Sequence, residues 1–491
     1  MSVNLYSLLM ERLAFPSLGL FTHSRFASLY REYRAAPQSD IIGTQHDALP
    51  QLRELLQHAY ENVPFYRKRI DASDIRPETL RSVAELSQLP PTTKRDISAH
   101  FPDGITDASQ KFKPWRYRST SGTIERLTVI HDYRKRDVVR AAEMLALHLA
   151  TKYRPGMKYL EIPPDVCRNV CGAAGAIDPP ILRFVLDNLK SRQLLVPSVV
   201  SDLRGLAERQ ILYRRLTLAS DTQHGAVQSP ESLQRYLETI RLYRPYLIKA
   251  LPVYLYMLAA HLSENGLKAP RVSGGLMPMG SSMTPLMKRT VEEAFQSPVH
   301  EDYGSAELGV IGTECGMGNG IHPFSQLFHV EVVRDGRPAQ TGETGKVLIT
   351  DLHSFAMPFI RYDIGDVALV LPSKCTCGVS GLRFDVQGRY QDCIPSSDGE
   401  LITSDRIIDT VLSCRNVRIF RLEYHDGRCI RLEIVAKPGT TADMVEIQDA
   451  LLNIFGAPLR ISARVVPTVM PEPGGKYRFV KNCSSAVGSF Q

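Results

Sequence analysis

Along residues 47 to about 101 the apolar positions recur at helix spacing. Leu49, Leu52, Leu55, Leu56 and Ala59 line one face, Val63-Pro64 breaks the run, and a second segment carries Leu80 and Leu86. This predicts a helical lead-in reaching to about residue 110. The middle of the chain alternates short β-rich runs at 159–162, 246–251 and 299–303 with helical runs at 138–150, 230–243 and 284–295. That alternation predicts α/β layering, with ligands expected at the strand ends. From Phe328 the texture changes. Phe328-His-Val-Glu-Val-Val, a turn at Asp335-Gly336 and Gly345-Lys-Val-Leu-Ile-Thr read as antiparallel hairpins, a β-rich part at about 323–387. After about Gly388, strands such as 430–436 mix with a helix near 444–455, which predicts a small α+β lid domain. No internal repeat and no low-complexity stretch interrupts this order.

Composition narrows the class. At 491 residues and 43% hydrophobic content the chain can bury a large core, in one divided domain or two to three smaller ones. The formal charge of +7, from 59 basic and 52 acidic residues, is a small excess with no block of like charge. Nucleic acid is therefore not an expected partner, and a small polyanion accounts for the excess equally well. The apolar patch around Phe15 to Phe21 is bracketed by Arg12, His23 and Arg25 and is far too short to span a bilayer, and no signal peptide follows from Met1. Nine cysteines, an odd number in so long a chain, do not form a secreted disulfide framework, so the cytoplasm is the expected compartment.

Five segments carry candidate chemistry. Arg118-Ser119-Thr120-Ser121-Gly122-Thr123 is a hydroxyl-rich turn whose backbone amides and side chains suit triphosphate oxygens, although an ordinary surface loop reads the same way. In Val299-His-Glu-Asp-Tyr303-Gly304-Ser305-Ala306-Glu307, the aromatic can stack on a purine and the carboxylate can hold Mg²⁺. The alternative there is a buried Tyr beside a solvated Glu. Phe359-Ile-Arg361-Tyr362-Asp363-Ile364-Gly365-Asp366 places Asp366 after a glycine turn, able to accept from both hydroxyls of a ribose. The fourth is Gly388-Arg389-Tyr390-Gln391-Asp392, and the fifth, Pro473-Gly474-Gly475-Lys476-Tyr477-Arg478, sets a lysine on a loop that can swing.

In order and spacing these segments resemble the adenylate-forming superfamily of acyl-CoA synthetases, adenylation domains and luciferases. Leu55-Leu56-Gln-His-Ala59-Tyr60-Glu-Asn62-Val63-Pro64-Phe65-Tyr66 and Leu89-Pro90-Pro91-Thr92-Thr93-Lys94-Arg-Asp96 look like its phenylacetate-CoA ligase and CapK-like subgroup, a resemblance covering roughly residues 45–482. It implies an α/β adenylation domain at 1–391 and a mobile α+β lid at 392–491. It implies that Ser119 with Thr120, Ser121, Gly122 and Thr123 forms the phosphate loop, Tyr303 with Gly304 and Ser305 the adenine wall, and Glu307 the magnesium ligand. Asp366 then binds ribose, Arg389 lies near ribose and phosphate, Asp392 is the hinge, and Lys476 stabilises charge on phosphorus. Gly274 and Gly275 fall where the family turns beside the adenine. Two stretches depart from the family: Ile124-Glu125-Arg126-Leu127 stands for Thr-Gly-Lys-Pro after the phosphate loop, and Cys393-Ile-Pro395-Ser-Ser-Asp398-Gly399-Glu400 replaces the glycine-centred loop that contacts CoA.

Cys375-Thr376-Cys377-Gly378 is a tight thiolate pair, and Cys315 precedes His322 by seven on the glycine-rich Gly316-Met-Gly318-Asn-Gly320. Three thiolates and one imidazole suit structural Zn²⁺, while unrelated buried cysteines fit the spacing too; the resemblance, whose subgroup carries a similar set, implies zinc. Cys167, Cys171, Cys393, Cys414, Cys429 and Cys483 read as packing residues. The acyl pocket is expected between Tyr159 and His224 and around 272–278, where Gly172 to Ala176 and Gly225-Ala226 leave room for an aromatic or alicyclic acid. His224 either approaches the carboxylate or is an ordinary loop residue.

The resemblance implies ATP- and Mg-dependent conversion of a carboxylic acid to its acyl-adenylate with release of pyrophosphate, then transfer to a thiol such as that of CoA. Rival acceptors are a carrier protein or an amine, the latter permitted by the altered loop after Asp392. Further rivals are adenylyl transfer to a phenolic hydroxyl and a non-catalytic scaffold, and a homodimer is one expected assembly.

Overall fold

The structure, a computed structural model, describes residues 5–14, 17, 24–43, 47–109, 116–119, 127–163, 181–190, 203, 206–218, 229–317, 320–397, 400–456, 458–472 and 476–484. The fold is α/β, and the chain divides into two compact units. One comprises Met1–Ala27, Leu147–His300 and Thr468–Arg478, the other Ser28–Ala146, Glu301–Pro467 and Phe479–Gln491.

The first unit is built on a four-stranded sheet with all neighbours parallel, in the order Arg215–Thr217, Tyr159–Ile162, Leu247–Ala250, Leu276–Pro278. The last three strands are buried at every position, the mark of parallel strands covered on both faces. Helix Pro230–Tyr243 opens on a proline, and Ser229 caps it by accepting the Ser232 amide at 3.2 Å. Thr284 caps Pro285–Phe295 in the same way. Helix Pro252–Glu264 is absent from the periodicity because ten of its residues are buried on all sides, leaving no polar face to mark it. The strand expected at 299–303 is divided: Val299 makes a parallel bridge to Leu276, and the strand proper is Asp302–Ser305, paired with Gly309–Thr313.

In the second unit the lead-in helices form as their spacing predicts. Leu49–Asn62 buries Leu52, Leu55, Leu56 and Ala59, and Val63-Pro64 starts Pro64–Asp71. Helix Lys94–His100 is closed by a reciprocal cap in which Thr93 accepts the Asp96 amide and Asp96 accepts that of Thr93. A five-stranded antiparallel sheet follows the order Arg337–Pro338, Phe328–Arg334, Thr344–Asp351, Tyr362–Val370, Phe384–Arg389. A second sheet is Arg460–Val465, Cys429–Ala436, Val417–His425, Val480–Asn482, its apolar face carrying Phe420, Leu422, Tyr424, Leu432 and Ile434. Helices Ser404–Ser413 and Met444–Phe455 accompany it, and Tyr424 stacks on Phe455 with ring centroids 6.1 Å apart. The expected hinge residue Asp392 lies inside this unit, buried in the short turn Tyr390–Asp392. Among the described residues no helix is long and apolar enough to cross a membrane.

Candidate active site

Two antiparallel pairings set the site in the second unit. Strand Asp302–Ser305 turns back into Gly309–Thr313, and Ser305 Oγ accepts the Leu308 amide at 3.2 Å, closing the turn that carries Glu307. Gly304 is required there: a Cβ would lie 2.3 Å from the Gly309 carbonyl oxygen and 2.9 Å from Val310 Cα, both backbone. In the larger sheet, strand Tyr362–Val370 pairs with Phe384–Arg389 so that Asp366 stands opposite Arg389.

These elements bring three of the expected residues, Tyr303, Asp366 and Arg389, into one network, with Glu307 near enough for its charge to act on Tyr303 and Arg389. The Tyr303 hydroxyl donates to Asp366 Oδ2 at 2.8 Å, and Arg389 Nε pairs with Asp366 Oδ1 at 3.0 Å. A carboxylate has about four acceptor directions, so this leaves acceptor capacity on Asp366 for a ribose. Arg389 also donates from Nη1 to the Ile364 carbonyl at 2.9 Å. Its guanidinium is held charged above its ordinary range, chiefly by Asp366. Burial, reinforced by the Asp366 carboxylate, pushes the Tyr303 phenol well above its usual value, so it stays a donor. The Tyr303 ring stands edge-on to Phe384, with centroids 5.5 Å apart.

Glu307 is buried, and its side chain meets two residues to which the motif reading gave no role. Tyr362 donates to Glu307 Oε1 at 3.3 Å, and Lys94 Nζ lies 3.7 Å from the same oxygen. The backbone oxygen of Glu307 accepts from His131 Nε2 at 2.7 Å. Burial first, then the Glu307 charge, raises the Tyr362 phenol. The signal for Lys94 was present in the Leu89-Pro90-Pro91-Thr92-Thr93-Lys94 segment, but its partner could not be read from a one-dimensional pattern. Glu307 offers one hard carboxylate ligand, which suits Mg²⁺ only where phosphates and water supply the rest of its shell, and Tyr362 and Lys94 both engage its Oε1.

Gly274, Gly275 and Lys476 belong to the first unit. Gly275 has φ 92°, and a Cβ on it would sit 2.5 Å from the Pro298 carbonyl oxygen, so only glycine fits. Gly274 packs against the Tyr246 ring. Lys476 donates to the Gly280 carbonyl oxygen at 2.9 Å. Ser119 ends strand Arg116–Ser119 opposite Thr128. Thr120, Ser121, Gly122 and Thr123 lie outside the described residues, as do the 124–126 departure, Cys167, Cys171, Gly172 to Ala176, His224, Gly225-Ala226, Asp398, Gly399, Gly474 and Gly475.

The four expected metal ligands converge. Ligand atoms of Cys315, His322, Cys375 and Cys377 all lie within 4.8 Å of one another, and the Cys315 and Cys375 sulfurs are 3.7 Å apart. A tetrahedron with Zn–S bonds of about 2.3 Å has sulfur–sulfur edges of about 3.8 Å, so the spacing fits. Both ring nitrogens of His322 are buried without a hydrogen-bond partner. Burial, then the Arg383 guanidinium, brings that imidazole down to about 4, which keeps it neutral as a ligand must be. Burial raises the Cys315 thiol to about 12. For Cys375 burial opposes ionisation, but hydrogen bonds from the Cys377 amide and the neighbouring thiols prevail and bring it to about 7.

No protein-family model matches the chain. Phenylacetate-coenzyme A ligase of Thermus thermophilus is 26% identical over 371 residues, covering 74% of this chain and 73% of that protein. CapK of Staphylococcus aureus is 21% identical over 259 residues, 51% of this chain and 56% of its own length. A crystal structure of 2-hydroxyisobutyryl-CoA ligase, in the postadenylation state with an adenylate, superposes with a TM-score of 0.66 at 20% identity over 92% of this chain and 94% of that one. By sequence the chain is similar to phenylacetate-coenzyme A ligases and to CapK, and its fold is that of the 2-hydroxyisobutyryl-CoA ligase.

Proposed function

We propose that the chain is an ATP-dependent acid–thiol ligase that activates a carboxylic acid as its acyl-adenylate and passes the acyl group to coenzyme A. The observation that carries this reading is that residues drawn from separate motifs converge: Tyr303, Asp366 and Arg389 are joined by a hydrogen bond and an ion pair, and Glu307, held by Tyr362 and Lys94, lies near enough for its charge to act on Tyr303 and Arg389. The similarity to phenylacetate-coenzyme A ligases favours an aromatic or cyclic acid.

In the first half-reaction a carboxylate oxygen attacks the α-phosphorus of ATP, the bond to the β-phosphate bridging oxygen breaks, and pyrophosphate leaves. Asp366 accepts from the ribose hydroxyls while Arg389 holds its carboxylate in place and offsets charge near the phosphate. Glu307 is the residue that would hold Mg²⁺, which when bound neutralises phosphate charge. Lys476 supplies the ammonium that stabilises charge developing on the phosphorus, and hydroxyls of residues 119–123 bind the leaving phosphates. In the second half-reaction the thiol, giving up its proton, attacks the acyl carbonyl and AMP leaves. Asp392 is the proposed hinge between the two, with the lid running from there to the C-terminus.

Cys315, His322, Cys375 and Cys377 are the proposed ligands of one structural Zn²⁺, which with four protein ligands has no open position for substrate. A reducing cytoplasm is the proposed location, supported by the seven described cysteines, none of which is in a disulfide. An amine or carrier-protein acceptor is the second reading. It is favoured by the loop after Asp392, where Ile394–Pro395 pairs with Leu401–Ile402 and Ser397 is tied to the Phe455 and Gly456 carbonyls.

The deciding experiment is pyrophosphate release with aryl, alicyclic and fatty acids, run with CoA, with amines and with neither. Turnover with CoA supports the ligase. Turnover with an amine and not CoA supports an amide synthetase, and no acid-dependent pyrophosphate in any lane overturns carboxylate activation.

A further inference from the structure

Tyr362 is fully buried, its ring edge-on to Phe359 with centroids 5.1 Å apart. Its backbone is fixed from a distant part of the chain: Thr92 donates its amide to the Arg361 carbonyl at 2.9 Å and accepts the Asp363 amide at 2.9 Å. The Thr92 hydroxyl also donates to the Ile360 carbonyl at 2.9 Å. The same Thr92-Thr93 segment leads directly into the helix that begins at Lys94. One junction therefore sets both groups that reach Glu307, the Tyr362 hydroxyl at 3.3 Å and the Lys94 ammonium at 3.7 Å.

Both contacts fall on Oε1, and among the described residues no hydrogen bond or ion pair engages Oε2. A glutamate has three side-chain torsions to freeze, and a lone ammonium, with no directional preference, does not fix the carboxylate plane. A phenol donor, which prefers to lie near the plane of the accepting oxygen, biases it even at the long 3.3 Å separation seen here. We infer that Tyr362 is a positioning residue for metal-assisted ATP binding: its hydroxyl holds Glu307 Oε1 so that Oε2 is presented to a divalent cation. This rests on the proposed assignment of Glu307 as the magnesium ligand.

Tyr362→Phe keeps the ring and its packing and removes only the donor. The first readout is Mn²⁺ binding to the enzyme–ATP complex, followed by electron paramagnetic resonance. The second is the half-saturating free Mg²⁺ in acid-dependent pyrophosphate exchange, and the third is AMP affinity, which reports the Asp366 side. The expected result is a roughly tenfold weakening of Mn²⁺ binding and a matching rise in half-saturating Mg²⁺, with AMP affinity unchanged. In a Glu307→Gln background the same substitution adds nothing further. Wild-type Mn²⁺ binding in Tyr362→Phe overturns the inference while leaving acid activation intact. So does a parallel loss of Mn²⁺ and AMP binding, which marks a merely structural tyrosine. Absence of acid-dependent exchange in the wild type instead removes the proposed function, and Mn²⁺ binding still decides the role of Tyr362. If Glu307→Gln binds Mn²⁺ like the wild type, the glutamate is no ligand and the inference falls with it.

Discussion

Motif alone singles out Glu307 and Asp366 as candidates, but not their immediate partners. The motifs give Tyr303 and Asp366 separate expected contacts with a nucleotide, whereas in the fold the Tyr303 hydroxyl donates to Asp366. Lys94 and Tyr362 escaped the reading because their link to Glu307 is made between strands and helices remote in sequence. Lys476 is tested most simply. Replacing it with Ala is expected to slow adenylation roughly 10²- to 10³-fold, while CoA-dependent thioester formation from a supplied acyl-adenylate proceeds near the wild-type rate. Single-turnover kinetics of the two half-reactions separate these. Asp405 gives a pH-linked prediction. Burial, then the carboxylates of Asp385 and Asp409, raise it from 3.8 to about 7. The folded chain keeps a proton that the unfolded chain releases, so this contribution to stability is whole below about 3.8 and is lost as the pH rises through about 7. Asp405→Asn is expected to raise Tm relative to the wild type by roughly 2–3 °C more at pH 8 than at pH 5, read by thermal melts at both values.

The elements with one apolar face and one polar face were readable, as Leu49–Asn62 and the hairpin of Phe328–Arg334 with Thr344–Asp351 show. Helix Pro252–Glu264 was not, since uniform burial erases the period on which the reading depends. The joint between the lead-in and the large antiparallel sheet was equally hidden. It is made by Arg361, a buried residue with φ 45° whose guanidinium grips both Glu331 oxygens at 3.0 Å and donates to the carbonyls of Ser87 and Leu89. Arg361→Lys cannot reproduce the fork and leaves buried acceptors unpaired. It is expected to lower stability by roughly 3 kcal/mol, measured by denaturant unfolding. For the Cys/His loops, purified protein is expected to carry one zinc per chain by elemental mass spectrometry. Cys375→Ser is expected to lose that metal and lower Tm. A metal-free wild type of unchanged Tm counts against a structural zinc.

At the scale of the whole chain, the α/β class is legible in the periodicity, whereas the stretches that gather into each compact unit are not. Each unit gathers three separate stretches, and a pattern read along the chain has no means of showing which stretches return to pack together. The proposed roles fall on residues far apart in the sequence, from Ser119 to Lys476, so they are tested best on the intact protein. Enzyme in excess over ATP is mixed with Mg²⁺ and an aryl acid, quenched, and assayed by mass spectrometry for the mixed anhydride, before and after CoA is added. The predicted result is acyl-adenylate with one equivalent of pyrophosphate, converted on addition of CoA to thioester and AMP. ADP and phosphate in place of AMP and pyrophosphate, or nucleotide turnover indifferent to the acid, would contradict it.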